Sequence, residues 1–189
     1  LEALLQFASK AYRRPITPAE KEELLGLYKK LRTQELPHDN AIRLTLAKVL
    51  VTPAFLYRLE TAPVGTKAAE VSDAELATRL SYFLTSSLPD DGLRKAAKTN
   101  TLRDPKAISE QTQRLMKDAK VRRLATEFAC HWLHIHGFDT LDEKSERHFP
   151  TFAKLKGDMY EESIRFFTDL FQNDGSILSL LDADHTFVN

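Results

Sequence analysis

The residues best suited to chemistry lie in the segment TEFACHWLHIHG, positions 126–137. Glu127, His131 and His134 follow one another at spacings of four and three, which sets a carboxylate and two imidazoles on one face of a helix. Ligands of these types suit zinc or iron. On the same period Val121, Leu124, Phe128, Trp132 and Ile135 form an apolar stripe. His136 falls on the other edge of that stripe, apart from the three. The pattern His-Glu-x-x-His, with which a zinc helix supplies two ligands and a base, is absent, and three ligands from one short helix need a distant fourth. Glu127, His131 and His134 are therefore read first as exposed or inter-helix hydrogen-bonding side chains and only second as a metal centre. Cys130 falls mid-helix opposite the stripe, whereas a nucleophilic thiol is usually set at a helix start. No residue is assigned a catalytic or cofactor-binding role.

Other constellations are incomplete. Asp158, Glu161, Glu162 and Asp169 share one long predicted helix, but a di-iron bundle needs inward Glu-x-x-His pairs from facing helices, and none lies on this one. Glu161 and Arg165, four apart, read as a surface ion pair. Phe152, Tyr160, Phe166, Phe167 and Phe171 form two adjacent stripes, a face wide enough for a helix at the centre of a bundle. With six glycines the chain has no phosphate-cradling loop and no Gly-x-Ser-x-Gly elbow. Lys117, Lys120, Arg122 and Arg123 read as a solvated helix face. The chain balances 27 basic against 27 acidic residues, without the surplus that nucleic-acid binding demands. No apolar run approaches the roughly 18 residues of a membrane span.

The elements that must carry these residues are legible from their punctuation. A first helix with Leu4, Phe7 and Ala11 inward stops before Pro15. Thr17, Pro18 and Glu20 open a second with a capping box, carrying Leu24, Tyr28 and Leu31. A third starts near Asn40, with Ile42, Leu46, Val49 and Leu50 inward, and is interrupted at Thr52-Pro53. Residues 62–70 (APVGTKAAE) form a linker-like stretch. Ser72 and Glu75 box a helix carrying Leu76, Leu80, Phe83 and Leu84. A short helix runs from Pro89 to Lys98, and another starts at Asp104-Pro105 with Ile108, Leu115 and Met116 inward. Helices over 121–136 and 151–172 follow, the latter stopped by Asn173, Asp174 and Gly175, and Ser176 caps a last one. No segment alternates like a strand. The expectation is an all-α fold, a multi-helix bundle in two packed parts of about three to four helices and then about six. The domains are 1–61 and 70–189, the second truncated at its C-terminal end, and both chain ends read as cuts in a longer protein. One cysteine excludes an internal disulfide.

Three stretches together carry a resemblance: AYRRPITPAE with LAKVLVTPAFLYRLE (about residues 7 to 60), LATRLSYFLTSSLPDDGL (residues 76–93), and HFPTF with MYEESIRFFTDLFQNDGSILSLLDADHTFVN (residues 148–189). The chain resembles the planctomycete-specific domains of unknown function, the PSD series, its fifth type followed by its fourth. The resemblance implies a setting rather than an activity. Such domains occur in very large, exported proteins beside cytochrome-c modules, so the implied location is extracytoplasmic, periplasmic or secreted. Haem c would be attached elsewhere in the polypeptide through Cys-x-x-Cys-His, which this segment lacks. The implied partners are neighbouring domains of the same polypeptide and a protein or polymer, with no nucleic acid. Where this chain has Thr85 the family commonly has Trp, and His131 and His134 stand outside the usual pattern around Trp132. The reading is a non-catalytic binding or scaffold module, leaning away from an enzyme. Its alternative is part of a metal-dependent hydrolase or oxidoreductase completed by segments outside this chain.

Overall fold

The structure is a computed structural model and describes residues 1–60, 65, 69–140, 144–145 and 147–187. Among the described residues the fold is all-α, with no strand, and no helix is long and apolar enough to cross a membrane. Helices α1 (Glu2–Ala11), α2 (Pro18–Thr33), α3 (His38–Val51) and α4 (Pro53–Leu56) come first. The expected capping box opens α2: Thr17 Oγ1 accepts from the Glu20 N–H at 3.2 Å, and Glu20 accepts from the Thr17 N–H at 2.8 Å. Arg14 clamps the same Glu20 carboxylate from both nitrogens, at 2.9 and 2.8 Å. This holds the carboxyl down at about 2, first through the Arg14 hydrogen bonds and then through the Thr17 backbone. Thr52 takes extended dihedrals before Pro53, so α3 ends and α4 starts as the proline requires.

The α1–α4 core keeps Leu4, Ala11, Leu24 and Val49 of its sequence stripes and departs from the rest. Buried positions are Leu4, Ala8 and Ala11 on α1 and Ala41, Thr45 and Val49 on α3, while Phe7 and Leu50 are exposed. Small residues lie where α1 packs on α3, and the larger Leu5, Ile16 and Phe55 pack around Ala8, Ala11, Tyr12, Leu24 and Val49. Alanines on a seam let helix backbones approach closely, which displaces the bulky side chains to its flanks. Thr45 survives inside because its Oγ1 donates to Ala41 O at 2.8 Å.

Helices α5 (Asp73–Thr85), α6 (Asp91–Lys98) and α7 (Pro105–Met116) follow. Ser72 and Glu75 form the second capping box, and Asp90 Oδ1 caps α6 by accepting from the Leu93 N–H at 2.9 Å. On α5 the buried line is Asp73, Ala77, Ser81, Leu84 and Thr85, and Phe83 is exposed, against expectation. The chain divides into two compact units, Leu1–Arg79 with Leu88–Asp104, and Leu80–Ser87 with Pro105–Asn189. The 62–70 stretch, where a boundary was expected, lies mostly outside the described residues, and the compact units do not divide there: α5 starts in the first and ends in the second. The buried Asp73 carboxylate accepts from the Leu102 N–H at 3.0 Å and meets Arg103 Nε at 3.2 Å, fastening the chain after α6 into the first unit.

In the second unit the longest helix, α10 (Phe152–Gln172), packs on a composite helix: α8 (Arg122–Leu124), a π turn (Ala125–Ala129) and α9 (Cys130–Trp132). A short α11 (Ser179–Asp182) follows. Ile164 and Phe167 of α10 are buried against Ala125, Ala129 and Cys130, with Tyr160, Phe166 and Phe171 partly buried around them.

Candidate functional site

The segment with chemical promise is not one regular helix. Asp118 Oδ1 accepts from the Lys120 N–H at 2.8 Å and caps a 3₁₀ turn over Ala119–Val121. The chain then passes through α8, the π turn and α9, and stops. Leu133 closes the helix, His134 turns to φ 55°, and the Ile135 N–H returns to Cys130 O at 2.9 Å. This is a Schellman end, with a histidine where glycine is usual. The expected helix to His136 is therefore four residues too long. His134 has left the helix, so it does not share a face with Glu127 and His131.

The π turn resets the rest. Its wider i→i+5 coil rotates everything after Leu124 against the regular period. Cys130, expected opposite the apolar stripe, is fully buried, with Sγ 3.4 Å from Tyr160 Oη. Phe128 and Trp132, expected inside, are 50% and 52% exposed. Glu127 and His131 side chains are each 66% exposed, with Oε2 and Nε2 3.9 Å apart. His136, not His134, joins His131: their rings stack at 5.1 Å and 21°. Imidazole lone pairs lie in the ring plane, so two near-parallel rings aim past one another rather than at a shared ion. Among the described residues no three His, Cys, Asp or Glu side chains are grouped to hold a metal ion.

What the π turn does present is aromatic surface. Phe128 stacks on Trp132 at 6.2 Å, Trp132 meets Phe167 edge-on at 6.2 Å, and Phe128 meets Phe171 at 6.4 Å. One groove of about 750 Å³ runs past Phe83, Leu124, Phe128 and Phe171. A second, of about 590 Å³, runs past Trp132, Met159, Phe166 and Leu181. The carboxylates of α10 are occupied elsewhere. Glu161 accepts from Arg122 and from Arg165, the pair expected from spacing, and is held below the usual carboxylate range, chiefly by Arg122. Glu162 accepts from Thr186, and Asp169 from Asn173 at 2.7 Å. Arg122 and Arg123 of the basic cluster are exposed, as expected, and also make bonds: Arg122 to Glu161, and Arg123 to the carbonyls of Thr85 and Ser86.

The first unit holds a site that sequence reading missed. A cavity of about 430 Å³ is lined by Tyr12, Ala54, Leu59 and Thr78, by Arg13, Arg14, Arg58 and Arg79, and by Glu60 and Glu75. Arg13 is buried with φ 61°. Its guanidinium donates to the carbonyls of Ala54 (2.6 Å), Phe55 (3.1 Å) and Tyr57 (2.7 Å), closing the end of α4. Arg79 forms a two-nitrogen pair with Glu60. Only the doublet Arg13-Arg14 hints at this locally; Arg58 and Arg79 are too distant in sequence for spacing to join them.

Residues 71–189 match the family model PSD4, described as a protein of unknown function (DUF1592). The chain belongs to the PSD4 family. Ahead of the PSD4 part, residues 1–60 match PSD5, likewise described as a protein of unknown function (DUF1595). The order, fifth type before fourth, is the one the motifs imply. Comparison with curated proteins and with solved structures finds no match. Within the PSD4 part, Thr85 is buried, with Oγ1 donating to Ser81 O at 2.7 Å. The composite helix, its exposed aromatic pair and both grooves fall in the PSD4 range. The family border at 60 to 71 and the border of the compact units are different divisions of the chain.

Proposed function

We propose that this chain is a non-catalytic helical binding or scaffold module of a large extracytoplasmic protein that carries cytochrome-c domains, and that its partner is a neighbouring domain of the same polypeptide. The observation that carries the reading is the exposure of Phe128 beside one groove and Trp132 beside the other, while His134 turns off the helix that Glu127 and His131 share. Solvent-facing aromatics at the edge of a packed core are what binding surfaces retain. Covalent haem needs two thiols, and the one cysteine is buried against Tyr160. Haem c would therefore belong to another part of the polypeptide, and this module would orient it.

Trp132 is the single tryptophan and reports directly on the surface. The test titrates the chain with separately produced haem-c domains of the same polypeptide, following Trp132 emission and binding heat. A saturable change is expected, with the heat lost in Phe128→Ser. Absence of binding in both readouts overturns the reading. So does turnover by the chain on a panel of esters, glycosides and peptides, or a stoichiometric metal beyond haem iron in elemental analysis.

A further inference from the structure

The geometry points to the arginine-walled cavity of the first unit as a binding site for a small organic anion, a carboxylate or a phosphate ester. This goes beyond the partner surface proposed above and lies in the other compact unit. The lining carries four arginines against two glutamates, in a chain whose formal net charge is zero. Glu20 holds Arg14 and Glu60 holds Arg79, so the draw for an anion lies in the N–H donors these forks have left, set in a concavity that concentrates their potential.

The arginines differ in what they have left to give. Arg13 is committed to three backbone carbonyls and has a structural part. Arg14 spends Nη1 on Pro15 O and Glu20 and one Nη2 proton on Glu20; a guanidinium has five N–H donors, so Nε–H and one Nη2–H remain. Arg79 spends Nε and Nη2 on Glu60, which leaves both Nη1 protons. Arg79 and Glu60 side chains are 58% and 40% exposed, so an incoming oxyanion can take the place of Glu60 without desolvating a buried charge. Fork-shaped donors match carboxylate and phosphate oxygens in pairs.

Size and wall chemistry narrow the ligand. About 430 Å³ exceeds what a bare inorganic ion fills and falls within the range of small-molecule sites. Tyr12, Ala54, Leu59 and Ala74 supply apolar wall for a carbon skeleton. The site therefore suits an organic anion with two or more charged oxygens.

The test is calorimetry on the whole chain at low salt, with citrate, succinate, glucose 6-phosphate and sodium sulfate as probes at matched ionic strength. Saturable binding of an organic anion is expected, weakened roughly tenfold in Arg79→Gln, as loss of a charge-assisted pair predicts. Glu60→Gln removes the competing carboxylate and is expected to tighten binding several-fold. Circular dichroism checks that the variants stay folded, and Arg14→Gln gives a second loss variant. Response to carboxylates alone, or to the phosphate ester alone, assigns the ligand class. Equal response to sulfate and all other probes, no saturable heat, or unchanged affinity in both arginine variants overturns the site.

Discussion

Arg13 concentrates more structural consequence than any other single side chain described above. It is buried, sits in the left-handed region, and satisfies three carbonyls that a four-residue helix leaves open. Truncation to Ala orphans all three. Arg13→Ala is expected to lower stability by about 3 kcal/mol, read as a shift in urea midpoint. Arg13→Lys should recover little, because an ammonium carries its donors on one nitrogen and cannot span carbonyls that Arg13 reaches from two. Glu20 gives a pH handle at the same scale. Its carboxyl is held at about 2 against an ordinary 4.5, first by Arg14. The stability it contributes is therefore complete above pH 4.5 and is lost as pH falls toward 2. Glu20→Gln should cost about 1 kcal/mol at pH 7, the upper end for a partly exposed pair, and the gap to the parent chain should close in urea melts near pH 2.

Helix ends are where the elements of this protein carry strain. Six non-glycine residues among those described hold positive φ, and they are Arg13, Glu35, Ser86, Asn100, His134 and Asp174, each just past a helix. Return bonds such as Leu36 N–H to Leu31 O and Thr101 N–H to Ala96 O, both 3.2 Å, mark Schellman ends. A side chain in that conformation costs roughly 1–2 kcal/mol, part of which glycine gives back as unfolded-state entropy. Glu35→Gly and Asn100→Gly are each expected to stabilise by about 0.5–1 kcal/mol, visible as a rise in thermal midpoint. His134 is the exception with a functional reading: its turn takes the imidazole off the helix. The π turn is the other decisive element. By inserting a wider coil before Cys130 it sends a thiol into the core and a tryptophan to the surface.

The two compact units govern how the whole molecule can be cut. Residues 70–79 and 88–104 belong with residues 1–60, through the Arg79–Glu60 pair and the anchorage of Leu102 and Arg103 on Asp73. A fragment of residues 1–60, the PSD5 match alone, leaves that unit incomplete. It is expected to show a lower midpoint and a broader urea transition than residues 1–104. Equal midpoints and slopes for the two fragments would show that the family border is also the folding border.

The sequence by itself determined most of the helices and the starts that carry a local cap. Proline, Thr17 with Glu20, Ser72 with Glu75, and Asp90 act within a few residues, so their effect is written locally. It also carried the family resemblance and the Glu161–Arg165 pair. Leu4, Ala11, Leu24, Val49, Leu84 and Leu115 lie inside as their stripes predict, and tertiary structure decided the departures from those stripes. Alanines on the α1–α3 seam moved Phe7 and Leu50 outward, and the π turn moved Phe128 and Trp132 to the surface, because close packing across helices outweighs the period of any one of them. It alone brought Arg13, Arg14, Arg58 and Arg79 to one cavity and parted His134 from His131. Convergence of side chains from distant segments depends on how the chain folds back, and spacing along one helix carries no record of that.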